Sequence, residues 1–321
     1  MDLSSSSSAS SSSYGVSITS VRLRADPHTA ATSVDEQINS TISTKLGQYS
    51  EGTVYHMLQA SPCLECVFQS DFPFSCTVSL PGSQPEPLTI TLPTCSESTY
   101  VWLPPTDSTG ALVEGCISKS LVDLQWVSVQ AGGDSASAAG KRRGRVQVSD
   151  EVKKGVRGVE AEYSRCMQAW VVLNSGITVA VLIDNKLLPV AAVDHDQPPH
   201  TIHVAVGALT EVAVNCTWPA DMSTLLSKAN HTLSLFLLVT DLSGRPCDAR
   251  VLICGSTLTP LPVTPTLHSY THTLRLGLTA PGTCLLHTVL CITPPLSTPS
   301  SEHSSSGGRC RLMTTHRLGT L

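Results

Sequence analysis

The sequence has few charged residues and few aromatic residues, which make up 14% and 4% of its 321 positions. Its net charge is -5, so Lys and Arg provide no surplus for neutralising a phosphate backbone, which argues against a nucleic-acid partner. The densest apolar run, Leu233 to Val239, is far shorter than the roughly 20 residues that cross a bilayer. The N-terminus also lacks the basic and apolar regions of a signal peptide, so we expect a cytoplasmic protein with peripheral membrane association at most.

Short motifs of common active sites are absent as well, including the nucleophile elbow, the H-E-x-x-H zinc pair and the G-x-G-x-x-G loop. We therefore predict no catalytic residue, no cofactor and no enzymatic activity. Twelve cysteines are spread over the whole length, and without an export signal we expect reduced core residues. Cys63 and Cys66 form the one close pair, but a structural zinc site needs two further ligands at comparable spacing, so metal binding there stays open.

Both ends of the sequence have low complexity. Residues 1–14 are mostly Ser, and residues 294–310 are rich in Ser, Pro and Gly. Such tracts cannot bury enough apolar surface to offset the entropy that a chain loses on folding. We therefore predict disordered tails over residues 1–14 and 294–321.

Between these tails, apolar residues alternate with Ser and Thr along much of the chain. Cys76, Val78 and Leu80 repeat with a period of two, and the segment 270–278 shows the same alternation. This period is typical of half-buried β-strands, and dipeptides such as Pro-Gly separate the runs as turns. The clearest predicted strands in the two halves of the chain are 121–129, 209–217, 231–240, 270–278 and 283–292.

Residues 131–145 lie between two β-rich blocks and consist mainly of Gly, Ser, Ala and basic residues. This composition predicts an exposed loop inserted into a β-hairpin. The segment 150–166 predicts a helix, because Ser149 can cap its first turn and apolar side chains follow with helical spacing. Those side chains are Val152, Val156, Val159, Tyr163 and Cys166.

These patterns together predict an all-β protein made of tandem immunoglobulin-like antiparallel β-sandwiches with one short connecting helix and disordered termini. The first sandwich domain is predicted over residues 15–149, including the loop at 131–145. The helix over 150–166 connects it to a second sandwich domain over residues 167–293.

One short segment concentrates positive charge in this acidic chain. A nuclear-localisation signal, or a contact with anionic lipid or a protein partner, is one interpretation of such a cluster. A solvated, exposed loop is the other interpretation, and it is the one that we favour. The candidate contact residues are Lys141, Arg142, Arg143 and Arg145.

The second half of the chain resembles the C-terminal region of the large TRAPP II-specific subunit of the transport protein particle, also called the NIK- and IKK-β-binding protein family. The segments LSLFLLVTDLSGRPC (233–247), VLICGSTLTPLPV (251–263) and HTLRLGLTAPGTCLL (272–286) are similar to strand, turn and strand motifs of that family. Upstream, LVDLQW (121–126) and GRVQVSDEVKKGV (144–156) resemble its Trp-bearing strand, Gly-containing return strand and short helix, in the same order.

The resemblance covers roughly residues 115–292, and it departs from the family at Cys284, where an aromatic residue is usual after Pro-Gly. The long N-terminal helical portion of the family is also missing, so the chain is interpreted as a fragment, a split gene product or a divergent short form. The resemblance implies a non-catalytic subunit of a vesicle-tethering complex at the Golgi and trans-Golgi. Its partners would be other TRAPP-like subunits and, indirectly, a Rab GTPase.

Two other classes of protein share this composition. One is a different immunoglobulin-like adaptor, such as a coat-adaptor ear or a ciliary module. The other is a secreted or surface glycoprotein, which would use the N-x-Ser/Thr sequons at Asn39, Asn215 and Asn230. We attribute the sequons to chance in a Ser- and Thr-rich sequence, because no export signal accompanies them.

Overall fold

A computed structural model describes residues 15–24, 33–49, 55–57, 60–72, 75–80, 88–112, 115–128, 142–188, 201–293 and 309–320. Its strands are β1 (Val16–Arg24), β2 (Tyr55–Met57), β3 (Cys63–Ser70), β4 (Cys76–Leu80), β5 (Leu88–Leu92), β6 (Glu97–Trp102), β7 (Gln125–Ser128), β8 (Arg142–Arg145), β9 (Gln147–Val148), β10 (Thr178–Ile183), β11 (Lys186–Leu188), β12 (Thr201–Val204), β13 (Leu209–Thr217), β14 (Thr232–Thr240), β15 (Val251–Cys254), β16 (Leu258–Pro260), β17 (Ser269–Leu278), β18 (Thr283–Thr293) and β19 (Arg309–Thr320). Its helices are α1 (Ser33–Gly47), α2 (Cys116–Val122), α3 (Asp150–Leu173) and α4 (Met222–Ala229).

The protein is mostly β and sandwich-like, which confirms the predicted fold class. The strands β13, β14, β17 and β18 match the four strands that alternation predicts in the second half to within about one residue at each end. The pairing is mainly antiparallel, but β1 pairs with β9, and β19 with both β2 and β12, in parallel.

The first of two compact units contains residues 1–23, 63–106 and 112–161. Its two four-stranded sheets have the orders β6-β3-β1-β9 and β5-β4-β7-β8. The sheets meet through side chains, since the Tyr100 hydroxyl donates a hydrogen bond to the Thr91 carbonyl and the Phe72 ring lies 4.5 Å from the Trp126 ring. The core side chains from both sheets include Ile18, Leu64, Phe68, Val78, Leu92 and Trp102.

The second unit contains residues 24–62, 107–111 and 162–321. One sheet has five strands in the order β11-β10-β13-β17-β15, and the other has the order β12-β19-β18-β14-β16, with β2 added beside β19. Helix α1 covers the outer side of the six-stranded sheet, where Ile38, Ile42 and Leu46 pack against Phe236 and Val289. As a result, the central strands β14 and β18 are buried on both faces.

The division of the chain differs from the predicted boundaries at 149 and 166. Residues 24–62 belong to the second unit, although the prediction assigned them to the first sandwich. The helix α3 runs to Leu173 rather than ending at 166. Three further helices, α1, α2 and α4, were not predicted.

One loop prediction and one strand prediction also differ from the described residues. Residues 142–145 form strand β8 rather than part of the predicted loop over 131–145. Residues 116–122 form helix α2, so the strand predicted over 121–129 begins only at Gln125. A carboxylate distant in sequence supports α2, because Glu160 accepts hydrogen bonds from the N–H of Ile117 at 3.2 Å and from the Ser118 hydroxyl at 2.8 Å.

The predicted disordered tail over 294–321 contains a long strand. Residues 309–320 form β19, which pairs with β18 from Thr283–Gly319 to Ile292–Cys310. The Arg311 side chain is buried and donates a hydrogen bond from Nη2 to the Asn39 carbonyl of α1 at 3.1 Å. Backbone pairing and this contact hold a segment that follows the low-complexity tract and was included with it in the predicted tail.

The Asp-x-Ser-Gly turn after β14 holds α1 in place. Oδ1 of Asp241 accepts hydrogen bonds from the N–H and hydroxyl of Ser243, at 2.8 and 2.6 Å, and from the N–H of Arg245 at 3.0 Å. Burial alone would raise the pKa of Asp241, but these hydrogen bonds outweigh it and lower the pKa. The Gly244 carbonyl accepts a hydrogen bond from the Thr41 hydroxyl of α1 at 2.7 Å.

A second turn of the same kind follows residue 106. Oδ1 of Asp107 accepts hydrogen bonds from the N–H and hydroxyl of Thr109 and from the N–H of Ala111, at 2.7 to 2.9 Å. The Thr109 hydroxyl is the main cause of the lowered pKa of Asp107. Gly110 lies so close to α3 that a Cβ there would be 2.8 Å from the Met167 backbone. An Asp-x-Ser/Thr-Gly turn therefore seats a helix twice in this chain.

Candidate protein-binding surfaces

The structure describes part of the predicted basic segment. Lys141 lies outside the described residues, and Arg142 is the first residue of β8. Arg143 and Arg145 have exposed side chains on the same face of β8, because they are two residues apart in a strand. Arg142, Arg143 and Arg145 are therefore held by pairing with β7, not by an irregular loop.

Trp126 and Gly144 explain how this hairpin is built. They are directly opposite each other in the β7–β8 register, and a Cβ on Gly144 would lie 2.5 Å from the Trp126 ring. The indole thus occupies the space above Gly144, on the face opposite Arg143 and Arg145. The space that the indole needs explains why the strand that pairs with the Trp-bearing strand has Gly at the opposite position.

Replacing Gly144 with Ala is expected to lower the free energy of unfolding of the first unit by about 1–2 kcal/mol, because the indole must move away from the new methyl group. The measurement is equilibrium urea unfolding. Gly158→Ala is the matched control, since nothing lies within 4 Å of a Cβ at this helical position. The control is expected to stabilise the unit by about 0.5–1 kcal/mol, and a similar gain for Gly144→Ala would contradict the packing described here.

Further basic residues are exposed on the first turns of α3. Lys153, Lys154 and Arg157 point to solvent, while Val152 and Val156 are buried on the other side of the helix. Lys153 forms a 3.0 Å ion pair with Asp150, whose side chain is itself exposed, so the pair adds little stability. These lysines provide a second basic surface in the same unit as β8.

Cys63 and Cys66 lie in β3, where Cys66 is buried in the core and Cys63 is half-buried. Burial, followed by the nearby Glu65 carboxylate, raises the pKa of the Cys66 thiol to about 12. A zinc ligand must be a thiolate, which this environment disfavours. Among the residues that the structure describes, no group of three or more His, Cys, Asp and Glu side chains is arranged to hold a metal ion.

The three sequons have different surroundings. Oδ1 of Asn39 in α1 and Oδ1 of Asn215 in β13 are both buried. Asn230 is exposed and follows the last turn of α4 in a left-handed conformation, with φ 51°. Asn230 is thus the most exposed of the three sequon asparagines.

Sequence reasoning did not identify the most extensive candidate surface, the outer face of the five-stranded sheet. Along β13 and β17, inward side chains are buried and outward ones are exposed or half-buried. Among the described residues nothing covers this face, whereas α1 covers the other sheet. We call it the open face, and its outward positions are Thr178, Ala180, Leu182, Leu187, Leu209, Glu211, Ala213, Asn215, Thr217, Leu252, Cys254, Ser269, Thr271, Thr273, Arg275 and Gly277.

Exposed leucines lie in two parts of the open face. Leu252 pairs with Gly277, which pairs with Leu209, so two leucines flank a residue without a side chain. Leu187 lies on the same face, opposite Leu182. The exposed fractions are 63% for Leu187, 50% for Leu209 and 52% for Leu252, so each of the three residues is at least half exposed.

The open face carries little charge. Among its outward positions only Glu211 and Arg275 have an acidic or a basic side chain, and they lie opposite each other in the β13–β17 register. Most of the other positions are small or uncharged, namely Thr, Ser, Ala, Asn and Gly. The central parts of protein–protein interfaces are depleted of charged residues in the same way.

A pocket of about 290 Å³ lies beside α4, and it has uncharged walls that include Ser223, Leu226, Leu233 and Leu261. His231 also lines it, and burial, followed by the nearby Arg165, lowers the pKa of His231, so its ring is neutral at pH 7. The pocket therefore combines apolar walls with neutral polar groups. This chemistry suits a contact with an uncharged side chain.

Comparison with known proteins gives no family for the chain. Within the ranges that the structure describes, the helices are too short or too polar to form a membrane-spanning segment. No protein-family model matches the sequence, and no curated protein is significantly similar to it.

Proposed function

We propose that the protein is a non-catalytic adaptor subunit of a TRAPP II-like vesicle-tethering complex on Golgi membranes. In this role it binds other subunits through sheet surfaces, and it acts on a Rab GTPase only indirectly. The open face of the five-stranded sheet is the observation that carries the proposal, because it presents exposed leucines on a weakly charged surface.

The local structure of the resembling segments also supports the proposal. Residues 233–247 contain β14 and the turn that seats α1, and residues 272–286 contain most of β17, the Pro-Gly turn and the start of β18. Residues 121–126 and 144–156 lie in the region of the β7–β8 hairpin, β9 and the start of α3. The order of strand, return strand and helix agrees with the resemblance, which itself comes from the sequence.

Affinity purification of the tagged full chain from cells tests the proposal. The expected result is co-purification of TRAPP subunits, identified by mass spectrometry, at near-stoichiometric ratios. The double variant Leu209→Glu and Leu252→Glu is expected to reduce this recovery about tenfold or more, because it places two charges in an apolar contact.

Leu242→Glu is the matched control, because Leu242 is 46% exposed but lies in the turn after β14, away from the open face. This variant is expected to recover TRAPP subunits as well as the unmodified chain does. Recovery of the chain without TRAPP subunits would overturn the proposal. Equal losses of TRAPP subunits for the two variants would show that the open face is not the binding surface.

A further inference from the structure

The outer edge of β8 exposes backbone groups that belong to arginines. In an antiparallel pair, successive residues direct their N–H and C=O groups alternately toward the partner strand and away from it. The N–H of Val146 donates to the Leu124 carbonyl at 3.0 Å, and the β7–β8 register continues from this pair. Gly144 therefore points its backbone groups toward β7, whereas Arg143 and Arg145 point theirs toward the outer edge.

A contact on the other side of β7 agrees with this alternation. Val127 is the residue opposite Arg143, and its carbonyl accepts a hydrogen bond at 3.2 Å from the Thr77 hydroxyl of β4. The backbone carbonyl of Val127 thus points toward β4 and away from β8. This direction is the one expected if Val127 and Arg143 form no hydrogen bonds with each other.

The edge is open among the residues that the structure describes. β8 is the last strand in the order β5-β4-β7-β8, so no described strand pairs with its outer side. Unpaired N–H and C=O groups on an edge are a template for one more strand. Here they belong to two residues whose side chains share one exposed face, roughly 6.6 Å apart along the strand.

We propose that β8 binds an acidic, extended segment of a partner protein, which joins the sheet as a further strand and places carboxylates opposite Arg143 and Arg145. Charge complementarity selects this occupant. Directly opposed, oppositely charged side chains stabilise strand pairs, and the arginine fork binds carboxylates in two parallel hydrogen bonds. The inference deepens the proposed adaptor function, on which it rests, by naming the chemistry of one partner.

Fluorescence anisotropy with the full chain tests this inference. The probe is a fluorescein-labelled heptapeptide with glutamates at alternate positions and valine or threonine between them. It is expected to bind, and Arg143→Glu with Arg145→Glu is expected to weaken binding about tenfold or more. The same peptide N-methylated at every backbone amide keeps its charge but cannot pair as a strand through either edge, so it is expected to bind about tenfold more weakly.

Lys153→Glu with Lys154→Glu is the matched control, since it makes the same charge change on α3 in the same unit and is expected to change binding less than about threefold. Circular dichroism and thermal unfolding check that both double variants fold. Equal weakening by the two double variants, or undiminished binding of the N-methylated peptide, would show unspecific attraction and overturn the inference.

Vesicles of phosphatidylcholine and phosphatidylserine distinguish a membrane from a strand. Vesicle binding that depends on Arg143 and Arg145, without peptide binding, would overturn the inference in favour of a lipid contact. If neither the peptide nor the vesicles bind, the inference is also overturned, and the arginines would then only keep the strand edge from aggregating. Peptide binding by a chain that recovers no TRAPP subunits would contradict only the proposed complex, so the two failures are distinguishable.

Discussion

Replacing Gly244 with Ala is expected to lower the free energy of unfolding of the second unit by about 2–5 kcal/mol. Gly244 has φ 84°, a left-handed conformation that costs an L-residue about 1–2 kcal/mol. A Cβ there would also lie 2.8 Å from the backbone nitrogen of Ile38 in α1. Because that atom belongs to a helix backbone, α1 itself must move, and the contact between α1 and the six-stranded sheet loosens.

Gly207→Ala separates the two contributions. Gly207 has φ 79°, but nothing lies within 4 Å of a Cβ at this position. The control is therefore expected to show only the conformational cost of about 1–2 kcal/mol. Equilibrium urea unfolding of both variants is the measurement, and equal losses would mean that the close approach of Gly244 to α1 contributes nothing.

Acidification is expected to destabilise the second unit through His287. This side chain is fully buried, and its two ring nitrogens lie 2.8 Å from the Thr240 hydroxyl and 3.0 Å from the Thr315 hydroxyl. Burial, followed by the neighbouring His316, lowers the pKa of His287 to about 4. The folded protein therefore keeps this imidazole neutral at a pH where the unfolded chain binds a proton.

The sign follows from that difference in pKa. The stabilisation is complete above the unfolded pKa of about 6.5, and it decreases as the pH falls toward the folded pKa of about 4. His287 alone is expected to reduce the free energy of unfolding by about 2 kcal/mol between pH 7 and pH 5, and by about 3 kcal/mol once the pH is below 4.

Urea unfolding of His287→Gln across this pH range checks the prediction. The Gln amide can exchange hydrogen bonds with both threonine hydroxyls but does not titrate, so its profile is expected to be flatter by about 2 kcal/mol between pH 7 and pH 5. His268→Gln controls for the loss of an exposed imidazole. Parallel profiles for the unmodified chain and His287→Gln would show that His287 does not cause the acid sensitivity.

Strands with strict alternation were predictable because one face of each is buried and the other is not. β13 and β17 show this in Val212 and Leu274, which are buried, and in Glu211 and Arg275, which are exposed. The continuous apolar run in β14 has a different cause, since α1 covers its second face. Apolar residues alternate along the strands of the open sheet and follow one another in β14 of the covered sheet. This difference was present in the sequence.

Other elements could not be predicted, because contacts distant in sequence stabilise them. Helix α1 has only a few apolar residues, and its contact with Phe236 and the turn at Gly244 holds it on the sheet. Strand β19 follows a Ser-rich segment and depends on its pairing with β18. Helix α2 begins where Glu160 accepts hydrogen bonds from its first residues. None of these partners lies in the short stretch of sequence around the element that it stabilises, so local composition could not reveal them.

By itself, the sequence determined the β-rich class of the protein and the inner and outer faces of its best strands, because period-two burial is a local property of an extended chain. It also located the basic cluster at residues 141–145. Only the tertiary structure decided that Arg143 and Arg145 lie on an open strand edge and that Leu209 and Leu252 flank Gly277. Such neighbours come from strand order and register, which depend on pairing between residues far apart in the chain.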